Sequence, residues 1–475
     1  MSTMFSWREV TPAPGEPVAP DERLPWGRTI GLGAQHVVAM FGATFVFPVV
    51  MGLDPNLAIL FSGICTIIFL LITSNRVPSY LGTSASFVAS VLAIRAQGGD
   101  SADVTGSILV AGVVLALVGI LVHVSGSGVI HKVLPPAVTG AVVMLIGFNL
   151  APVVAGIYWP QDQWIALAVA TFMICAAVLL PGFWARIAVL LALVFGYVLS
   201  WLADVLFGQI HSITPTSNGE KVDHDRVSWA GVKAADWAGF PSGHLKDGVS
   251  VVHTPSFSLT FILLVLPGVI ALIAENTGHV KAVAEMTKTD LDPYMGRALF
   301  ADGAATALSS AFGGSPTTTY AENIGVMGAT KVYSTAAYYV AAVVAILLGL
   351  CPKFGAIVSA TPGGVLGGIT VILYGMIGLV GAKIWVENGV DFGDPVNLVG
   401  LSAGIIAGIG GVTLEITNDF SLSGIALGTI MVIVYYHLVN GRRGRGAGQV
   451  TRVLSHPDDD PGQTPGRRRA DPVQE

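Results

Sequence analysis

Between residues 28 and 440 the chain alternates long apolar runs with short polar breaks. The runs fall near 29–50, 55–73, 78–95, 104–124, 135–154, 162–181 and 186–207, then near 257–283, 296–312, 315–330, 333–350, 360–382, 395–413 and 420–440. Most approach the ~20 residues at which a helix rising about 1.5 Å per residue crosses a bilayer. The pattern predicts an all-α polytopic membrane protein with fourteen transmembrane segments. A polar stretch at 208–255 divides them seven and seven, with Glu220, Lys221, Asp223, Arg226, Lys246 and Asp247 among its charges. Residues 1–27 and 441–475 are polar and read as disordered tails.

The third and tenth runs do not read as helices throughout. Val77-Pro78-Ser79-Tyr80-Leu81-Gly82-Thr83-Ser84-Ala85-Ser86-Phe87 is short, polar and broken by Pro and Gly, and Ser315-Pro316-Thr317-Thr318-Thr319-Tyr320-Ala321-Glu322-Asn323-Ile324-Gly325 is similar. Consecutive threonines favour extended backbone, so each run predicts a strand-like half followed by a half-helix. Irregular backbone at membrane depth is tolerated only where it is buried in protein or lines a cavity. The halves also echo each other. Pro135-Pro136-Ala137-Val138-Thr139-Gly140 matches Pro362-Gly363-Gly364-Val365-Leu366-Gly367 as Pro-x-x-Val-x-Gly. An odd number of segments per half makes such repeats inverted, and paired discontinuous segments in inverted halves point to a transporter's binding site.

Composition changes the picture little further. The 475 residues are 53% hydrophobic and 11% charged, against about 25% charged in soluble domains. The net charge of −6 sits largely in the tails and the long loop. Cys65, Cys175 and Cys351 lie in or beside apolar runs without metal or disulfide spacing and read as packing residues. Residues 1–25 lack the apolar core of a signal peptide, so the first apolar helix is expected to direct insertion. Arg76, Lys132, Arg186, Lys288 and Lys383 occupy alternate short loops; Arg95 and Lys353 are the exceptions on the opposite side. The positive-inside rule then places both termini in the cytoplasm and 208–255 outside.

Chemistry concentrates in Glu275-Asn276-Thr277-Gly278-His279, inside the eighth run. Glu275 and His279, at i and i+4, share one helix face, and such groups within a membrane segment mark function by default. Glu275 reads as a ligand acceptor that can also hold a proton, or as a carboxylate bonded to a neighbouring helix. His279 reads as a proton site or an orienter of Glu275, or as a satisfied core histidine. Glu322, at the start of the second half-helix, reads as a second acceptor or as a carboxylate satisfied by helix N–H groups. Two such acids would read adjacent N–H donors of a neutral heterocycle. Asp302, His36 and Tyr374 are secondary candidates. Metal-ligand spacing, a phosphate loop and a nucleophile motif are not evident, which argues against an ATP-driven pump; the acidic and imidazole groups favour coupling to H⁺, with Na⁺ the alternative, and an enzyme using Glu275 and His279 as acid and base is the least favoured reading.

Ile273-Ala274-Glu275-Asn276-Thr277-Gly278-His279, the run Thr318 to Met327 containing Glu322-Asn323-Ile324-Gly325, and Gln35-His36 together resemble the nucleobase–ascorbate transporter family, most closely its bacterial uracil and pyrimidine permease branch. The resemblance covers residues 28–440. The purine branch typically has Gln-Asn where this chain has Glu322-Asn323. The resemblance implies a seven-plus-seven inverted repeat, 28–207 and 256–440. Segments 1–4 and 8–11 would form a core domain, and 5–7 and 12–14 a gate domain. It implies H⁺ symport of uracil or a related base across a bacterial inner membrane, commonly as a homodimer, with no cofactor beyond the coupling H⁺ and no nucleic-acid partner. Glu275 and Glu322 would bind the base, and backbone around Ser84, Ala85, Tyr320 and Ala321 would complete the pocket. His279, with Glu275, would serve proton coupling, and Tyr374 would sit on the gate side. The family's uracil permeases can carry Phe where this chain has Ala85, so a slightly larger pocket, open to thymine, is expected. A purine or xanthine permease and an anion exchanger or channel on the same fold are the alternatives.

Overall fold

A computed structural model describes residues 6–13, 16–126, 128, 132, 134–214, 220–417 and 420–450. Two-residue strands β1 (Arg8–Glu9) and β2 (Glu22–Arg23) precede α1 (Trp26–Met51) and α2 (Pro55–Ile72). Strand β3 (Leu81–Thr83) leads through a 3₁₀ turn at Ala85–Phe87 into the short α3 (Val88–Ala96), followed by α4 (Ser101–Ser125), α5 (Pro136–Phe148), α6 (Gln163–Leu179) and α7 (Ala188–Phe207). A hairpin of β4 (Ile210–Ile213) and β5 (Lys221–His224) opens the long loop. Then come α8 (Leu259–Thr287), α9 (Asp292–Ala311), β6 (Thr317–Thr319), α10 (Ala321–Thr330), α11 (Thr335–Gly349), α12 (Pro352–Ser359), α13 (Gly363–Glu387) and α14 (Pro395–Ile409). A second hairpin, β7 (Thr413–Thr417) with β8 (Phe420–Ser423), precedes α15 (Gly424–Val450).

Local chemistry sets several helix starts. Asp54 caps α2 by accepting from Leu57 N at 2.7 Å, with Pro55 at the first helical position. Asp100 and Asp103 form a reciprocal capping box at α4. Among the described residues seven helices are long and apolar enough to cross a membrane, α5 being counted with its continuation to Gln161, and α11 with α12, bent 81° apart, makes an eighth. The segments around α3, α6, α14 and the first part of α15 are shorter apolar helices. Helix α9 is too polar to count by composition, and its near-complete burial against other helices removes the need for an apolar outer face. Val113, Leu117, Ile120, Leu121 and Val124 form an exposed apolar stripe on α4, as a lipid-facing helix requires.

Helices α1, α2, α4, α8, α9 and α11 pack on one another as one group. Helices α5, α6, α7, α13, α14 and α15 pack as another, joined to the first chiefly through α8 and α1. Where α4 crosses α9 the backbones touch: a Cβ on Gly119 would lie 2.2 Å from Phe300 N. Without a hydrophobic drive between helices in lipid, such close approach supplies the attraction.

Two expectations about the termini change. The segment before α1, expected to be disordered, is folded over residues 6–13 and 16–25. β1 and β2 pair in parallel, Arg8 pairs with Glu22 and Arg23 with Glu9, and Val18 forms backbone hydrogen bonds of 2.9 Å with Lys331 and Tyr333. Val18 and Leu24, 1% and 3% exposed, supply the apolar anchors that a polar composition hides. Helix α15 continues to Val450, past the expected boundary at 440, and the rest of the expected tail, 451–475, lies outside the described residues.

The 208–255 loop is ordered over its described residues and fastened to both helix groups. Arg226 reaches Asp162 at 2.7 Å and Asp204 at 3.1 Å. Asp247 meets Arg95 at 2.5 Å and both the N–H (2.7 Å) and hydroxyl (2.6 Å) of Ser101. Burial works against the Asp247 charge, but the hydrogen bonds from Ser101 and Arg95 outweigh it and hold the carboxyl down at about 2.

Candidate functional site

The two broken segments meet. β3 and β6 pair antiparallel, with Leu81 opposite Thr319, Gly82 opposite Thr318 and Thr83 opposite Thr317. Ser84 N donates to Pro316 O at 2.9 Å and Tyr320 N to Tyr80 O at 3.0 Å, extending the ladder at both ends. A two-stranded ribbon this short is not stable alone. Hydroxyls from the surrounding helices hold it: Thr66 accepts from Leu81 N at 2.9 Å, Thr306 accepts from Thr317 N at 3.1 Å, and Tyr320 Oη donates to Thr83 O at 2.8 Å. Gly82 allows this closure, since a Cβ there would sit 2.4 Å from the Tyr320 ring and 2.6 Å from Thr44 Oγ1.

Each strand hands over to a helix start at the same crossing. Ser84 is buried and accepts from Ser86 N at 3.3 Å, while Ala85 is only partly buried. Tyr320 precedes α10 without capping it by its side chain, while the Glu322 carboxyl lies beside its own backbone N–H in the first turn. Ala321 is exposed and Glu322 half-buried, in a region otherwise closed. Glu275 and His279 are half-buried and Gly278 exposed on the facing turn of α8. These partly accessible positions lie on three elements that pack together beside the ribbon, and Gly278 lines a cavity of about 210 Å³ with Leu134, Thr139 and Ile384.

Glu275 lies within electrostatic reach of both Glu322 and Asp302 and beside the Thr318 side chain. His279 Nδ1 lies 2.8 Å from Thr319 Oγ1. The same hydroxyl donates to Asn276 Oδ1 at 3.1 Å, and Asn276 Nδ2 donates to Asp302 Oδ2 at 2.5 Å. The chain has a direction. With its proton committed to Asn276, the Thr319 hydroxyl can only accept from His279, so Nδ1 carries the hydrogen in neutral imidazole and Nε2 keeps a free lone pair. Asp302 and Asn276 are 0% exposed, and Asp302 Oδ1 has no hydrogen-bond partner among the described residues.

The secondary candidates separate. Asp302 joins the cluster from behind, through Asn276. His36 does not: its Nδ1 (3.2 Å) and carbonyl (3.0 Å) meet Asn323 Nδ2, and its ring lies 4.4 Å from that of Tyr338. It positions α10. Tyr374, 2% exposed, lines a cavity of about 430 Å³ with Phe148, Trp159 and Gly375, and its hydroxyl has no partner among the described residues. No hydrogen bond joins it to the acids. Sequence reasoning gave Asn276 and Thr319 no role. Their signal was present as an amide and a hydroxyl within buried stretches, each requiring a partner.

Two discontinuous segments crossing beside intramembrane acids point to a transporter's binding site, and the chain's family and structural neighbours are transporters, not enzymes. The solved structures with this fold include the transmembrane domain of the cyanobacterial bicarbonate transporter BicA, with a TM-score of 0.53 at 15% identity over 86% of this chain and 96% of that one. Murine Slc26a9, an anion transporter captured inward-facing, superposes with a TM-score of 0.61 at 12% identity over 87% of this chain and 68% of that one. The sequence profile of the Permease family matches residues 27–417, and the chain belongs to that family. It is 42% identical over 430 residues to the protein named pyrimidine permease RutG of Escherichia coli (strain K12), covering 89% of this chain and 92% of that one. It is 36% identical over 424 residues to the uracil permease of the same strain (87% and 91% covered) and 34% identical over 426 residues to that of Bacillus caldolyticus (88% and 93% covered).

Proposed function

We propose that this chain imports a pyrimidine nucleobase, uracil first, by proton symport with alternating access. The observation that carries the reading is that half-buried Glu275 and Glu322 lie within electrostatic reach of each other beside the β3–β6 crossing. A neutral pyrimidine presents N–H donors to two carboxyl groups and carbonyl oxygens to the first N–H groups of α10. An analogue without those donors leaves a buried acid unpaired, which penalises it strongly. Ser84, Ala85, Tyr320 and Ala321 form the remaining wall, and the small Ala85 leaves room for a substituted ring such as thymine. His279, oriented by Thr319, offers Nε2 to the coupling proton, with Glu275 as its partner. The names of the relatives support the substrate class.

In this reading the short helices and the two strand/half-helix units complete fourteen segments in two inverted repeats, 28–207 and 256–440. The first helix group, with both broken segments, is the core domain, and the second, carrying Tyr374, is the gate. The protein works as a homodimer in a bacterial inner membrane with both termini in the cytoplasm and 208–255 outside. Proteoliposomes should accumulate labelled uracil, and a protonophore should abolish accumulation; uptake indifferent to the pH gradient refutes the coupling. Glu275→Gln and Glu322→Gln should each remove uracil binding, and normal binding in both refutes the site. Anion exchange is the second reading, because both structural neighbours are named for anion transport. The paired acids oppose it, and competition of uracil uptake by bicarbonate would favour it.

A further inference from the structure

A second cavity, of about 900 Å³, lies where the N-terminal segment folds over the turns that follow α2 and α8. Trp7, Asp21, Asn75, Arg76, Lys288 and Tyr333 are in its wall. Of the charges beside it, Arg8 pairs with Glu22 and Arg23 with Glu9, and Arg297 donates to the neutral Ser74 Oγ at 2.8 Å. Arg76 and Lys288 make no ion pair or side-chain hydrogen bond among the described residues, and Asp21 is the one acid in the described lining. Cation therefore exceeds anion in a concave, partly aromatic wall.

The backbone that presents these cations is unusual. Ser74, Asn75 and Lys288 have φ of 55°, 56° and 53°, in the left-handed region. For residues with a side chain this conformation is unfavourable, and it persists where the surroundings hold it. The positive-inside rule accounts for Arg and Lys in these loops. It does not call for a folded cap that sets these two exposed cations in one cavity wall with Trp7 and Tyr333.

We propose that this cavity binds a phosphomonoester carrying an aromatic ring, in class a nucleoside monophosphate. Its phosphate would meet Arg76 and Lys288 in charge-assisted hydrogen bonds, and its ring would lie against Trp7 or Tyr333. The ligand would be felt at the transport site. The cap is bonded to Lys331 and Tyr333, at the end of the segment carrying Glu322, and the Lys288 turn ends the helix carrying Glu275 and His279. If the imported solute is a pyrimidine, as proposed above, the ligand is the phosphorylated form into which the cell converts it, acting from the cytoplasmic face.

The test is calorimetric titration of the purified full-length chain in detergent with uridine monophosphate. Saturable binding is expected, weakened at least about tenfold by Arg76→Ala and by Lys288→Ala, less by Arg76→Lys. Uridine and ribose 5-phosphate should each bind more weakly than the nucleotide. Absence of binding, or binding unchanged in both alanine variants, overturns the proposal. Displacement of the nucleotide by phosphatidylglycerol vesicles at equal headgroup concentration also overturns it, reassigning the cations to lipid. Uracil affinity should stay within about twofold in all variants. Loss of uracil binding by the unmodified chain would count against the transport reading alone, because the nucleotide titration does not use that site.

Discussion

Thr319→Val tests the hydrogen-bond chain behind the site. Valine keeps the branched shape and the β6 backbone pairing but removes the hydroxyl that joins His279 Nδ1 (2.8 Å) to Asn276 Oδ1 (3.1 Å). A buried polar atom left without a partner costs about 1–3 kcal/mol. Asn276, 0% exposed, bears that cost in full, whereas half-buried His279 recovers part from water. The sum is roughly 2–4 kcal/mol, which at about 2 °C per kcal/mol for a large chain lowers the unfolding temperature in detergent by roughly 4–8 °C. The free imidazole then loses its fixed tautomer. Proton-driven uracil accumulation should fall about tenfold while equilibrium uracil binding stays within about threefold. Thr319→Ser, which restores the hydroxyl, should recover most of both losses. Wild-type stability together with wild-type accumulation in Thr319→Val would refute the chain. So would equal loss of binding and accumulation, which would make Thr319 a ligand contact.

Gly82→Ala should abolish the ribbon, since the new methyl meets the Tyr320 ring and Thr44 at 2.4–2.6 Å; loss of monodisperse protein on size exclusion is the readout. His36→Ala removes one of two acceptors for Asn323 Nδ2, leaving the backbone carbonyl of residue 36, and should cost about 1 kcal/mol of thermal stability without altering the preference for uracil over thymine, measured by competition binding. The Asp247 carboxyl, held at about 2 against an ordinary value near 3.9, fastens the 208–255 loop above about pH 4 and releases it as pH falls toward 2. Pepsin should therefore cut residues 245–256 faster as pH is lowered through that window, and Asp247→Asn should be cut fast throughout; equal rates for the two proteins would refute the attachment.

The apolar period placed almost every helix within a few residues, and Pro, Gly and the threonine run located both breaks. These are local signals, since a run's length and the residues that resist a helix are written in consecutive positions. For the same reason Glu275 and His279 could be put on one helix face. The N-terminal cap was not legible, because Val18 and Leu24 are isolated apolar residues among polar ones and gain meaning only where Lys331 and Tyr333 receive them.

The sequence by itself determined a multi-pass membrane chain, two strand-to-helix breaks and an acid–imidazole pair on one face between them. The tertiary structure decided which buried polar groups answer one another. It tied His279 through Thr319 and Asn276 to Asp302, and assigned His36 to Asn323 instead of that cluster. Burial favours a partner for such atoms, but for His36 and Asn323 the partners lie 287 residues apart along the chain, and only the packing of the helices brings them together.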